Sequence, residues 1–512
     1  MSENFDFVIV GGGSAGAVIA SRLSEDPSCR VALLEAGSRP PELELIPVAC
    51  AALQQNPETD WMYTADPGKA GRGLKGQRVP VPRGRMLGGS SGINYMAYVR
   101  GHPADFDAWA AGGAAGWSYA DVLPYFRKSE ALAPSDEIVI DAAAHGTHGP
   151  LGVAVRSPVL PAARDFVAAA EAAGIPRGDY NGRERGGPAG VVSLLQTNTK
   201  HGKRSSTYRA FLQCNAEHRP NLKIVTGALA TRVILKGCEA QGVEFRFATG
   251  ETQSVMAKKE VILCAGAVGS PHLLMLSGIG PHEDLERGGV RCVLDLPHVG
   301  KHLKDHVQVP LFFPAPELGV SMSEVMLSLA PEAMQEWHAT GRGLAASSLY
   351  DAAAWFSTGL GDAHSHDGQI ACFASGGSPE LFDCLRIDPA LYFDDPAERL
   401  APDAKNVIVL ANPVLPHSEG EIVLRSADPS AHPEIRMNYF ADPHDMKVMV
   451  AVLHRALEIV AHWPDGRLGP LMVPPFLSQR HGHKSGGAPS DALLEDMALH
   501  FSLTVYHLTS TC

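Results

Sequence analysis

Phe7-Val8-Ile9-Val10-Gly11-Gly12-Gly13-Ser14-Ala15-Gly16 is a run of apolar residues that passes directly into glycines and then into a helix-forming stretch. Four consecutive apolar residues bounded by a turn signal read as a buried strand. Gly11, Gly13 and Gly16 stand at G-x-G-x-x-G spacing. The first permits a tight turn, the second lets backbone N–H groups approach a pyrophosphate, and the third lets helix and strand pack closely. Phosphates would then sit at the positive end of the helix that begins near Ser14. A second strand, Arg30 to Leu34, ends in Glu35, nineteen residues beyond Gly16, where a carboxylate meets ribose hydroxyls. A surface turn followed by an ordinary strand would explain the glycines but not that acidic residue. The unit is a βαβ dinucleotide cradle, and the fold class it implies is α/β.

At 512 residues the chain is long enough for two or three domains. Hydrophobic residues make up 45% and charged residues 19%, which is globular composition, and the net charge of −13 disfavours nucleic acid and anionic membranes as partners. Nine scattered cysteines, odd in number and without a C-x-x-C pair, read as reduced thiols rather than a disulfide frame or a zinc site. Met1-Ser2-Glu3-Asn4 has no basic character, and no apolar run approaches 18 residues, so the expectation is a cytoplasmic protein without a signal peptide or membrane segment.

Further along, helices are expected over Pro103 to Ala111, Tyr119 to Glu130 with Ser118 as N-cap, and Ala162 to Ala173. Strands follow at Leu222 to Val225, Ala230 to Leu235, Gly242 to Phe245 and Lys259 to Cys264. Val261 to Ala267 is a second strand running into small residues, with Ser270-Pro271 expected to open a helix. Past Asp305-His306 the composition changes, and Leu311 to Asp403 reads as mixed strands and loops facing a substrate. Asp445 to Ala461 and Asp491 to Met497 are expected helices. His364-Ser365-His366 and His481-Gly482-His483 lack carboxylate or cysteine partners at metal-like offsets and read as solvated loops, with no metal expected.

Three further blocks carry a resemblance. Gly84-Arg85-Met86-Leu87-Gly88-Gly89-Ser90-Ser91-Gly92-Ile93-Asn94 and Gly266 to Gly280 are similar to the two signatures of the glucose–methanol–choline (GMC) oxidoreductases, and Val299-Gly300-Lys301-His302-Leu303-Lys304-Asp305-His306 to their V-G-x-x-L-x-D-H segment. The resemblance implies an FAD-binding Rossmann-like domain with a mixed α+β substrate-binding domain. By segment, residues 1–307 would bind FAD, 308–415 would face substrate, and 416–512 would be the C-terminal part. FAD rather than NAD would lie with its pyrophosphate on Gly11, Gly13, Ser14, Ala15 and Gly16 and its adenine ribose on Glu35 and Ala36. Met86, Gly89, Ser90, Asn94, Tyr95, Met96 and Ala97 would line the flavin, and the Val233 backbone would meet the adenine. Members with covalent flavin carry histidine just before the asparagine; Ile93 stands there, so the FAD is expected to be noncovalent.

Removing hydride from an alcohol carbon requires a base for the hydroxyl proton, and histidine suits that near neutral pH. His507, in Tyr506-His507-Leu508-Thr509-Ser510-Thr511-Cys512, resembles the family's catalytic histidine in Y-H-P-x-G-T-C, with Leu508 and Ser510 in place of proline and glycine. Tyr95 beside Asn94 matches a tyrosine of aryl-alcohol oxidases, which implies apolar or aromatic primary alcohols. The resemblance thus implies oxidation of a primary alcohol to an aldehyde, with oxygen or a quinone-type acceptor. FAD-dependent hydroxynitrile lyase is the alternative. Family members continue past the position of Cys512 into a segment with a second catalytic His or Asn and a last strand of the FAD sheet, so a truncated enzyme or a noncatalytic remnant is also expected.

Overall fold

Four parallel strands end level with one another, and that shared edge organises the molecule. The computed structural model describes residues 4–361, 365–375 and 377–512. Its first large sheet runs, in spatial order, Leu222–Val225, Val31–Leu34, Asn4–Val10, Thr252–Leu263, Glu239–Arg246 and Leu229–Lys236. Val10 pairs with Leu34 on one side and Leu263 on the other, and Leu34 pairs with Val225, so all four parallel strands finish in register. Residues 11, 35 and 264 therefore emerge together at the carboxyl edge, where open α/β sheets bind ligands.

Side chains alternate between two buried faces. Ile9, Val31 and Leu33 pack against Ala17 and Ala20 of the Ser14–Leu23 helix and against Tyr208 and Leu212. Val8, Val10, Ala32 and Leu34 pack on the other face against Val243, Phe245 and Leu273. A sheet covered on both sides explains why these strands are continuously apolar. The far half of Thr252–Leu263 turns into an antiparallel ribbon, while its residues 257–263 pair only with Asn4–Val10 among the described residues.

A second six-stranded sheet runs Leu503–Thr504, Val307–Pro314, Asn406–Pro413, Gly368–Phe373, Tyr350–Phe356 and Val191–Leu194, antiparallel throughout. The helix Pro443–Ala461 buries Val448, Met449, Val452, Leu453 and Ala456 in the core shared with this sheet. Its strands come from residues 191–194, 307–413 and 503–504. The expected helices stand at Pro103–Ala111, Tyr119–Ser129 and Pro161–Ala172, the second capped by Ser118, whose hydroxyl accepts from Asp121 N–H.

One expectation fails. The second junction's helix begins at Gly266, not at Ser270, and Pro271 lies inside it. Proline removes the N–H that would have bonded the carbonyl four residues back, Ala267. Thr511 Oγ1 donates to that carbonyl at 2.7 Å. A partner 244 positions away thus supplies what the helix cannot.

The cradle glycines differ in what they exclude. A Cβ on Gly16 would lie 1.9 Å from the Gly11 carbonyl oxygen, whereas one on Gly13 would meet only Gly89 Cα at 3.7 Å. Gly16→Ala should therefore destabilise the fold by about 3 kcal/mol and lower the midpoint of thermal unfolding. Gly13→Ala should unfold near the parent temperature.

Candidate active site

At the carboxyl edge the turn is fixed by a buried carboxylate. Glu35 Oε2 accepts from Gly12 N–H at 2.7 Å and Oε1 from Gly37 N–H at 2.8 Å. Burial pushes this carboxyl up to about 7, against the pull of those two N–H groups. The Ser14–Leu23 helix opens at Gly13 with no side chain capping it, which leaves first-turn N–H groups for an anion. The uncapped helix start, the glycine with open space and the acidic residue beyond fit a dinucleotide.

A second loop lies against this turn. Gly88 and Gly89 have φ of +92° and +51°, and a Cβ on Gly89 would lie 2.7 Å from Gly13 Cα. Only glycine permits that approach. Gly88 N–H donates to Gly12 O at 2.8 Å, which ties the loop to the cradle. Beyond it, Asn94 Oδ1 accepts from Met96 N–H at 3.1 Å and from Arg204 Nη1 at 2.7 Å. Arg204, 2% exposed, also holds the Asn94 carbonyl at 2.8 Å. Ser14, Ser90, Asn94, Tyr95, Met96 and Ala97 line one cavity of about 590 Å³, and so does His507. Met86 is not among the lining residues: its side chain packs with Leu53 and Ile93.

His507 arrives there through a local mismatch of strand length. Val307 pairs with Thr504 and Lys304 bridges Thr509. Between those pairs one strand has two residues, Asp305 and His306, and the other has four, Val505 to Leu508. The surplus bulges, with Tyr506 at φ +68°. Asp305 secures the bulge: its carboxylate accepts from His507 N–H at 2.9 Å, from Thr504 Oγ1 at 2.6 Å and from the Tyr439 hydroxyl. Burial pushes its carboxyl up to about 6, although the Thr504 and Tyr439 hydrogen bonds pull it down.

The two imidazoles meet Nδ1 to Nδ1 at 3.0 Å. One of them must donate. Burial holds His306 down at about 4, against the pull of the Val414 backbone, so this ring rests neutral. With His306 accepting at Nδ1, His507 would donate from Nδ1 and keep a lone pair on Nε2. Solvent reaches the His507 ring through the cavity, while protein surrounds it on the remaining sides. That enclosure, then His306 and then Arg83, push its pKa down to about 3, so it rests neutral.

The Val233 N–H donates to Ser277 Oγ at 2.8 Å, and Val233 pairs with Val243 within the ribbon. The Gly227 and Ala228 N–H groups donate to the carbonyls of Gly37 and Glu35. One expectation is corrected here. His366 is no solvated loop residue. It is buried, lines the cavity and has Nε2 at 3.0 Å from the Gly187 carbonyl. His364 and Met1 to Glu3 lie outside the described residues. Asp305, His306 and Arg204 acquire roles that sequence reasoning had not assigned; only the D-H pair lay in a quoted motif.

The GMC oxidoreductase family matches residues 5–308, and its C-terminal part matches residues 416–512. An uncharacterized GMC-type oxidoreductase of Mycobacterium tuberculosis is 36% identical over 518 aligned residues, covering 100% of this chain and 90% of the relative. An oxygen-dependent choline dehydrogenase of Burkholderia pseudomallei is 35% identical over 471 residues, covering 90% and 77%. The crystal structure of pyridoxine 4-oxidase from Mesorbium loti superposes with a TM-score of 0.78 at 28% identity, over 99% of this chain and 89% of that one. Among the described residues no helix is long and apolar enough to cross a membrane.

Glu35→Ala would strand the Gly12 and Gly37 N–H groups, with a cost of roughly 2 kcal/mol or more. Thermal unfolding should shift down and the flavin absorbance of the purified protein should fall. Asp305→Ala strands three donors at the other end, so flavin should be retained while kcat/KM for an alcohol drops at least about tenfold.

Proposed function

The chain belongs to the GMC oxidoreductase family, an FAD-dependent enzyme family of alcohol oxidation, and on that premise we propose that it oxidises a primary alcohol to an aldehyde with His507 as the base. The observation that carries this reading is that His507 lines the same cavity as Ser14, Ser90, Asn94 and Tyr95. FAD would be held by the first-turn N–H groups at Gly13 to Gly16, by Glu35, and by the loop from Gly89 to Ala97. When bound, FAD supplies the acceptor for the hydride of the alcohol carbon. Its attachment is noncovalent in this reading, because the residue before Asn94 is the buried, unreactive Ile93.

The chain's own part is acid–base work and positioning. The alcohol hydroxyl donates to His507 Nε2, which is free because Nδ1–H is engaged with His306. His306 thereby fixes the tautomer, and Asp305 fixes the backbone from which the ring projects. Tyr95, edge to face with Phe373 at 5.8 Å, presents an apolar wall to the substrate's body. Oxygen or a quinone-type acceptor then takes the two electrons. All nine cysteines are free thiols, which suits a cytoplasmic enzyme.

Anaerobic mixing with benzyl alcohol tests the reading: bleaching of the flavin band is expected, and its absence with intact FAD would favour lyase chemistry. His507→Ala should lower the rate of bleaching by about 100-fold or more. The pH dependence has a definite sign. His507 works as a base only when neutral, and its pKa lies near 3 rather than 6.5. The kcat/KM profile should therefore stay level from pH 8 to pH 5 and decline only as the pH approaches that low value. An inflection near 6.5 that vanishes in His507→Ala would overturn it.

A further inference from the structure

The cavity that holds His507 contains a buried guanidinium that forms no ion pair among the described residues. Arg185 lines it and is 7% exposed. Its Nε donates to the Gly182 carbonyl at 3.2 Å and its Nη1 to the Arg100 carbonyl at 3.1 Å, while Nη2 has no hydrogen-bond partner. The groups that face it electrostatically are Tyr119 and Asp105, which favour its charge, and Arg100, which opposes it. None of them closes a salt bridge with it among the described residues. Arg100 is a like charge already paired with Glu130 at 2.8 Å, and Tyr119 offers a hydroxyl rather than a carboxylate. Asp105 commits an oxygen to the His102 N–H at 2.7 Å, as the reciprocal cap of the Pro103–Ala111 helix, and forms no ion pair with Arg185 among the described residues.

Beside it the donors continue. His102 Nδ1 accepts from Ala104 N–H at 3.2 Å, so the neutral ring carries its proton on Nε2, and His102 also lines the cavity. His366 packs edge-on against it at 4.9 Å and spends its own Nε2 on the Gly187 carbonyl. Asp105 lines the cavity as well, so this polar end sets the Arg185 Nη2 and the His102 Nε2–H beside a single carboxylate. A buried guanidinium lacking an anion is costly, and a planar carboxylate matches its fork.

We infer that Arg185 receives an anionic group of the substrate, so that the enzyme's preferred alcohols are hydroxymethyl acids with an aromatic or apolar body rather than quaternary ammonium alcohols. The inference rests on the reading that His507 takes the hydroxyl proton in this cavity. Tyr350, Trp355 and Phe373 line the cavity too and would hold that body.

The test compares 4-(hydroxymethyl)benzoate with its methyl ester and with choline, on the FAD-loaded enzyme at low salt. The acid should exceed the ester in kcat/KM by about tenfold or more, with choline poorest. Arg185→Gln should bring the acid-to-ester ratio to about one, and Arg185→Lys should keep part of the preference because the charge remains. A parent ratio of one or less, choline as the best substrate, or a ratio unchanged in Arg185→Gln would overturn the inference. Benzoate binding by calorimetry separates the two readings. If no alcohol turns over, the His507 reading fails, yet benzoate binding that weakens in Arg185→Gln still supports an anion site. Absence of benzoate binding to the parent would sink it.

Discussion

The constraint on which the rest depends is the absence of any room for a side chain where the first helix leaves the first strand. Gly16 passes so close to the Gly11 carbonyl that a single methyl group would collide with backbone. Gly11 itself, at φ +96°, faces the Cys264 carbonyl at a distance that no Cβ could share. These contacts fix the helix start against the strand ends, and with it the direction in which uncapped N–H groups point. Glu35 then stitches the turn from the neighbouring strand through two backbone N–H groups. The cradle is thus a product of backbone proximity, with only one side chain taking part.

The opposite end of the cavity is built on a different principle. There a short edge strand is held to its neighbour by hydrogen bonds on either side of a bulge, and the bulge carries the base. Asp305 accepts the His507 N–H, because surplus residues in a ladder lose their regular partners, and is itself held by the Thr504 and Tyr439 hydroxyls. Thr511 ties the same terminal segment to the second strand-to-helix junction. The two sheets meet at this site through specific polar contacts made by the final residues.

Much of this was legible in the sequence. Continuous apolar runs followed by glycine located the parallel strands, and the spacing to Glu35 located the carboxylate that closes the glycine turn. Those signals are local, since each depends on residues within one βαβ unit. What escaped was set by distant partners. Pro271 reads as a helix start because nothing nearby shows that Thr511 will satisfy Ala267. His366 reads as solvated because its burial depends on His102 and Gly187, far away in the chain.

Burial and charge act in the same direction on the cavity's histidines. His102, His306 and His507 are all pushed to low pKa, first by burial, and Arg185 adds to this at His102 as Arg83 does at His507. A chamber with fixed guanidinium groups and neutral imidazoles disfavours a second positive charge. The base is accordingly ready to accept a proton but poor at holding one. An alcohol that brought a negative group would lower the positive potential as it entered and make the imidazolium easier to form. Recognition of the substrate and the strength of the base would then be linked through the electrostatics of one cavity, without any movement of the chain.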